Sequence, residues 1–221
     1  MMNVEVEKSV FVVEQVRHLT ESTYVLRFSR NEMNFKPGQH LILGLPGAKE
    51  LREYSIYSGV HDDFLEVLIK EVDDGLVSRQ LKNIKKGDEI QVRGPRGFFL
   101  TNAAQADPGK LLFISSGTGL APFHSFVASN PDSDYRIVHG VRNISEAYEL
   151  GDYRRDRFTV CTSRGDKGDF PGRLTDFLLQ DDLDPQARVF LCGNSNMIYD
   201  AMDILHARGI PQKQIFTEVY F

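Results

Sequence analysis

The sequence predicts a β + α/β chain, an antiparallel β-barrel followed by a doubly wound parallel sheet. Two observations carry this expectation. As far as about Leu100 the chain is a succession of short segments rich in Val, Ile, Phe and Tyr, each bounded by Gly, Pro, Asn or Asp. Beyond Lys110, short and nearly continuous apolar runs alternate with helical stretches, the pattern of strands buried on both faces within βα units. The division falls in "NAAQADPGK", polar and with a Pro-Gly turn, which sets expected domains at 1–101 and 109–221.

In the first half the strand candidates are "VEVEKSVFVV" from Val4, then "STYVLRFS", "HLILGL", "REYSIYS", "FLEVLIKEV" and "DEIQVRG". Strands at this spacing suit a small antiparallel barrel or sandwich. One helix interrupts them, near "GLVSRQLKN". In the second half "LLFISS", "YRIVHGV", "RFTVCTS" and "RVFLCG" read as buried strands, with helices in "APFHSFVAS", "GRLTDFLLQ" and "SNMIYDAMDILHARG". That alternation implies a parallel sheet with ligands at the carboxyl ends of its strands.

Composition narrows the chemistry. With 221 residues, 41% hydrophobic and 26% charged, the chain can build a substantial core. A net charge of -5 argues against nucleic acid as the main partner. The opening "MMNVEVEKSV" is acidic and lacks an apolar h-region, and no apolar run reaches the roughly 18 residues of a membrane span. The expectation is a soluble cytoplasmic protein that does not engage a membrane. Two cysteines, Cys161 and Cys192, supply too few thiolates for zinc or an iron-sulfur cluster, and the six histidines form no ligand-spaced group, so no metal site is expected. Redox chemistry would need an organic cofactor or a partner.

Residues just after each buried strand candidate are where a ligand would sit. "LLFISSGTGLAPF" ends a strand at Ser115-Ser116, turns through Gly117, Thr118 and Gly119, and starts a helix at Ala121-Pro122. Glycines admit a phosphate close to the backbone and the helix start offers free N–H groups, although a plain strand-to-helix turn has the same residues. The loop is neither a Walker A motif nor a full G-x-G-x-x-G. After "RFTVCTSRG" come Ser163 and Arg164, and Arg173 precedes the next helix; arginines there suit the 2′-phosphate of NADP, and equally suit a solvated surface. In the barrel, strand alternation puts Arg52 and Tyr54 on one face and Ser55 on the other. Arg52 together with the helix start at Gly75, near Ser78, would hold a pyrophosphate, while a structural tyrosine and a helix-start serine explain Tyr54 and Ser78 as well.

Taken in order, these stretches resemble the ferredoxin–NADP⁺ reductase family, in its compact bacterial form. "REYSIYS" is similar to the family's R-x-Y-S-x-x-S flavin motif, "KPGQ" to its barrel Pro-Gly-Gln, and "GLVS" to its flavin-pyrophosphate G-x-x-S. "GTGLAPF" resembles the NADP-side Gly-rich loop, "CGNSNM" the C-G-N-x-x-M after the last buried strand, and "TEVYF" the closing Glu-x-Tyr. The resemblance runs over nearly the whole chain. "RGFFL" and the single aromatic beyond Tyr220 point to the bacterial branch, and hence to FAD. One departure is Ser195, where many members have proline, which leaves the nicotinamide loop less fixed.

The resemblance implies an FAD-dependent oxidoreductase with a flavin-binding barrel and an NADP-binding parallel sheet. Arg52 would bind the flavin pyrophosphate, Tyr54 would stack on the isoalloxazine, and Ser55 would hydrogen-bond near N5. Ile69, Lys70, Gly75, Leu76, Val77 and Ser78 would line the FAD chain, with Tyr220 or Phe221 over the flavin face. Gly117, Thr118, Gly119, Cys192 and Gly193 would hold NADP(H), with Ser163, Arg164 and Arg173 on the 2′-phosphate and Arg142 touching the dinucleotide. Ser55, Cys192 and Glu218 would serve hydride transfer between nicotinamide C4 and flavin N5, after which single electrons pass to ferredoxin or flavodoxin. Cys192 has a second reading as a small buried hydrophobe, the reading Cys161 keeps. Lys82, Lys85, Lys86, Arg93 and Arg96 would offer an acidic carrier a basic patch near the flavin edge, or a solvated barrel face. The chain is expected to act as a monomer. The rivals are a reductase component of an oxygenase or hydroxylase, and a flavin-binding subunit without turnover.

Overall fold

A computed structural model of the chain describes residues 9–72, 75–101 and 109–220. Six strands form the first sheet: β1 (Ser9–His18), β2 (Thr23–Ser29), β3 (His40–Gly44), β4 (Arg52–Ser55), β5 (Phe64–Lys70) and β6 (Glu89–Arg96). Their order is β4-β3-β6-β1-β2-β5, with every pairing antiparallel. Just beyond β4, Ile56 bridges Val67 of β5 and the Tyr57 N–H donates to the Glu66 carbonyl at 2.7 Å, so the first and last strands meet and the sheet closes into the expected barrel. Alternate residues point inward: Tyr24, Leu26 and Phe28 of β2 and Leu65, Val67 and Ile69 of β5 share one core with Leu41 and Leu43. Helix α1 (Leu76–Lys82) plugs one end with Val77 and Leu81.

The second sheet contains β7 (Leu111–Ser116), β8 (Tyr135–Val141), β9 (Phe158–Thr162), the two-residue β10 (Phe170–Pro171), β11 (Arg188–Asn194) and β12 (Ile215–Tyr220). All pairings are parallel and the order is β10-β9-β8-β7-β11-β12. Helices α2 (Ala121–Ser129), α3 (Leu174–Gln180) and α4 (Ser195–Ala207) cover both faces. Residues alternate between the two layers: Leu111 and Phe113 pack on the α2 side with Phe123 and Phe126, whereas Leu112 and Ile114 pack with Leu178 of α3 and Ile198 of α4. That double burial is why these strands read as unbroken apolar runs.

Three differences from the sequence reading stand out. β1 runs to His18, past the Val13 where the strand candidate ended, because a bulge between Val13 and Gln15 lets Val16 continue the inward series despite the charges around it. The β8–β9 crossover, for which the sequence reading named no element, carries three short 3₁₀ turns between Ile144 and Arg157. The closing "FTEVY", expected only to bring an aromatic over the flavin face, is a sixth strand on β11. Val4 to Lys8, Phe221 and most of the linker segment lie outside the described residues. No helix among the described residues is long and apolar enough to cross a membrane.

Candidate active site

The chain order of the parallel sheet reverses at β7: β8 and β9 lie on one side, β11 and β12 on the other. Such a switch point opens a crevice at the carboxyl ends of the two flanking strands. Here those ends are the Gly117–Leu120 turn after β7 and Cys192–Asn194 at the end of β11. The two approach each other backbone to backbone. A Cβ on Gly119 would lie 2.3 Å from the Cys192 carbonyl oxygen, and one on Gly193, at φ +135°, would lie 2.4 Å from Ser116 Oγ. Gly117, at φ +55°, faces open space, so its backbone is free on the crevice side. Thr118 sits half-buried between them. Asn194 holds the second loop from both directions: its N–H donates to Ser116 Oγ at 3.1 Å, and its Oδ1 accepts from Asn196 N–H at 3.0 Å to cap α4.

β12 brings Glu218 opposite Cys192 and Tyr220 opposite Asn194. Ser55, buried at the end of β4, joins them from the barrel. Its hydroxyl donates to Glu218 Oε1 at 2.8 Å and accepts from the Tyr220 phenol at 2.5 Å. Burial pushes the Cys192 thiol well above its ordinary range, with the Glu218 charge adding to the shift. Burial likewise raises Glu218, opposed by the Ser55 hydrogen bond and reinforced by Glu53, and it raises Tyr220 well above the usual phenol value. Each acid is held toward its neutral form, so Cys192 is placed to pack and orient a ligand and lacks the thiolate character of a nucleophile.

On the barrel, Arg52 is exposed, with its side chain 58% accessible and bonded only at its edge to the Leu51 carbonyl and, at 3.3 Å, to Glu50. Tyr54 lies half-buried against the barrel core, where burial lifts its phenol to about 12. Ile69 is buried inside the barrel and Lys70 is exposed at the end of β5. Gly75 precedes α1, Leu76 is 53% exposed, and Val77 faces the core. The Ser78 hydroxyl is turned back on its own loop, donating to the Gly75 carbonyl and accepting from the Val72 N–H, both at 3.3 Å. The Tyr24 phenol fixes this turn by donating to the Ser78 carbonyl at 2.6 Å.

Across the parallel sheet, the ends of β8 and β9 are zipped together. Ser163 N–H donates to the Val141 carbonyl at 3.0 Å and Arg164 N–H to the Arg142 carbonyl at 2.8 Å, which leaves Arg142 and Arg164 exposed side by side at the carboxyl edge. Arg173, also exposed, starts α3, its N–H donating to Asp176 at 3.2 Å.

The expected basic patch does not hold together. Strand β3 pairs His40 with both Ser55 and Arg96, so Arg96 lies at the Ser55 end of β6. Lys85 and Lys86 precede the opposite end of that eight-residue strand, on the order of 20 Å away at roughly 3.3 Å per residue. Lys82 is committed to Glu71 at 2.5 Å. What accompanies Arg96 is Phe98, 96% exposed, beside Gly97 and His40.

The sequence reading placed α2 but gave no role to its His124, Ser125 and Ser129, which contact the barrel. No motif marks them; polar residues at positions i, i+1 and i+5 of an otherwise apolar helix are the one available signal. His124, Glu149 and Asp152 also bring ligand-type atoms within 4.8 Å of one another. Both Glu149 oxygens already accept hydrogen bonds, from Arg17 at 2.8 Å and Tyr57 at 2.6 Å.

Comparison with known proteins agrees with this geometry. A family model described as an oxidoreductase FAD-binding domain matches residues 10–100. A ferredoxin–NADP reductase of Azotobacter vinelandii is 30% identical, the match covering 95% of this chain and 92% of that protein. The reductase component of a propane 2-monooxygenase from Mycolicibacterium smegmatis is also 30% identical, over 94% of this chain and 66% of its own length. Among solved structures, a ferredoxin NADP⁺ reductase from Neisseria gonorrhoeae with bound FAD and NADP superposes with a TM-score of 0.83 at 26% identity, covering 98% of this chain and 100% of that one. The barrel, the switch-point crevice and these similarities place the chain in the ferredoxin–NADP reductase family of FAD-dependent oxidoreductases.

Proposed function

We propose that the protein transfers hydride between NADPH and FAD and passes electrons singly to a ferredoxin or flavodoxin, acting as a monomer. The observation that carries this reading is the meeting of Ser55 from the barrel with Glu218 and Tyr220 from β12, at the carboxyl end of β11 where Cys192 lies. In this reading residues 1–101 form the FAD-binding domain and 109–221 the NADP-binding domain. FAD fits the residues present: Arg52 and Leu76 are exposed on the barrel, and Gly117 leaves its backbone open at the crevice.

Bound FAD would supply the exchange between two-electron and one-electron steps. This chain's residues supply the rest. Arg52 binds pyrophosphate as a charge-assisted donor, and Tyr54 with Leu76 gives apolar contact. Gly117, Thr118 and Gly119 admit the nicotinamide next to Cys192, whose neutral thiol packs beside it. Ser55 changes hydrogen-bond partner easily because it both donates and accepts, so its hydroxyl can serve the flavin while Glu218 and Tyr220 hold its position. Arg164 and Arg173, with Ser163, recognise the 2′-phosphate. Arg96 and the exposed Phe98 flank the Ser55 edge where an acidic carrier approaches.

A second reading, a reductase component serving an oxygenase, is favoured by the propane 2-monooxygenase relatives and shares the same first half reaction. Anaerobic mixing of the FAD-loaded protein with NADPH or NADH, followed by candidate ferredoxins, flavodoxins and oxygenase components, tests both. Rapid bleaching by NADPH and reoxidation by ferredoxin or flavodoxin are expected. Equal bleaching by NADH overturns the roles of Arg164 and Arg173, and reoxidation by an oxygenase component alone moves the assignment to the second reading.

A further inference from the structure

Helix α2 begins at the Gly117–Leu120 turn and lies along residues 57–60, the segment that follows Ser55 out of β4. One face of the helix bonds to that segment's main chain. His124 stacks on the Tyr57 ring, centroids 3.7 Å apart and planes 9° from parallel. Its Nδ1 lies 2.6 Å from the Tyr57 carbonyl oxygen, which can only accept, so Nδ1 carries a proton. Its Nε2 faces Asp152 Oδ2 at 3.1 Å, and that contact holds the Asp152 carboxyl below its ordinary range. Ser125 Oγ donates to the Ser58 carbonyl at 2.7 Å, and Val60 N–H donates to Ser129 Oγ at 3.0 Å. Between them Gly59 lies so close to α2 that a Cβ there would stand 3.2 Å from the Ala128 backbone. Positions i and i+4 stack on a helix, which pairs His124 with Ala128 and Ser125 with Ser129 in two adjoining rows, so these contacts form one continuous seam.

We propose that His124 is a positioning residue for hydride transfer. Through Tyr57 on one side and the Gly117–Leu120 turn on the other, with Ser125 and Ser129 completing the seam, it fixes the separation between Ser55 and the loop that receives the nicotinamide. The main-chain partners cannot rotate away, and the stacked ring bonded at both nitrogens has no remaining freedom to tilt. A shift of about 1 Å between reacting centres is enough to slow a reaction by roughly a hundredfold, so a seam of this kind acts on the rate more than on affinity.

The inference rests on the hydride-transfer reading above. His124→Phe keeps the ring over Tyr57 and removes both polar contacts, whereas His124→Gln restores a donor toward the Tyr57 carbonyl. In stopped-flow reduction of FAD-loaded protein, His124→Phe is expected to lower the limiting rate roughly ten- to a hundredfold with the NADPH Kd within about twofold, and His124→Gln to recover most of the loss. Pulsed EPR between spin labels at the exposed Glu21 and Tyr199 supplies a readout that needs no turnover. A broadened distance distribution is expected for His124→Phe and a wild-type one for His124→Gln. An unchanged limiting rate and distribution in His124→Phe overturns the proposal, as does a rate loss that His124→Gln does not rescue. Should His124→Phe fail to fold, Ser125→Ala takes its place with the same expected direction. Wild-type protein that NADPH does not reduce would sink the functional reading itself, while the EPR comparison would still report on the seam.

Discussion

The barrel and the parallel sheet meet at two places built on different terms. Along α2, side chains of one partner bond to carbonyls and an amide of the other, from Tyr57 to Val60. At Ser55 the contact is side chain to side chain, through Glu218 and Tyr220. Around the first joint a buried cluster of Val25, Tyr57, Leu68, Ala121 and Tyr148 excludes water, and Arg17 ties Glu66 to Glu149 across it. Around the second lie acids whose ionisation burial opposes. Main-chain groups hold one geometry, whereas hydroxyl and carboxyl groups can exchange partners by rotating a single bond. The first joint sets a distance; the second leaves the groups facing the ligand free to re-pair.

The largest expected blow to that contrast is acid. His139 of β8 is fully buried on the α2 side, its Nδ1 at 2.8 Å from Ser115 Oγ and its Nε2 without a partner. Burial lowers it from 6.5 to about 4, so the folded chain refuses a proton that the unfolded chain accepts. Stability is then full above pH 6.5 and falls as the pH drops toward 4, by up to about 3 kcal/mol at roughly 1.4 kcal/mol per unit. Urea unfolding at pH 7 and pH 4.5 should show this loss, and His139→Asn, which keeps a partner for Ser115, should flatten it; equal pH slopes would remove His139 from the account. Next in size, Ser55→Ala should slow flavin reduction by about a hundredfold with FAD retained, since it deletes the hydroxyl at the adaptable joint. Cys192→Ala should slow the same step by about tenfold and leave the protein yellow, because the thiol orients the nicotinamide and carries no covalent role; an unchanged single-turnover rate would refute that. The smallest effect belongs to Ser129→Ala, which strands the Val60 N–H at a cost of about 1 kcal/mol. Hydrogen exchange should register it at Val60 and its neighbours, with the amides around Ser55 unaffected.

Much of this was legible in the sequence, for identifiable reasons. "LLFISS" and "YRIVHGV" are strands over the residues expected of them because burial on both faces leaves few exposed positions to blur their ends. Helix α2 likewise runs over "APFHSFVAS" as expected, started by Pro122 in its first turn. β12 was hidden because an edge strand with Thr217 and Glu218 exposed or half-buried lacks the apolar run that marked its neighbours. At the site, strand ends and glycines announced the crevice, whereas the scatter of the basic residues did not show, since sequence proximity says nothing about which end of β6 a residue occupies. The α2 seam was equally silent: its energy lies in main-chain partners from Tyr57 to Val60, and main chain is identical at every residue.

The Ser55–Glu218 and Ser55–Tyr220 bonds join residues 163 and 165 positions apart. Contacts that close so long a loop lose the most chain entropy and form late. The barrel, whose strand pairings all lie within residues 9–96, closes shorter loops and can collapse before β12 is in place. Refolding should therefore recover barrel structure first and the Ser55 cluster last, so flavin loaded during folding would meet a finished barrel whose second wall is still arriving.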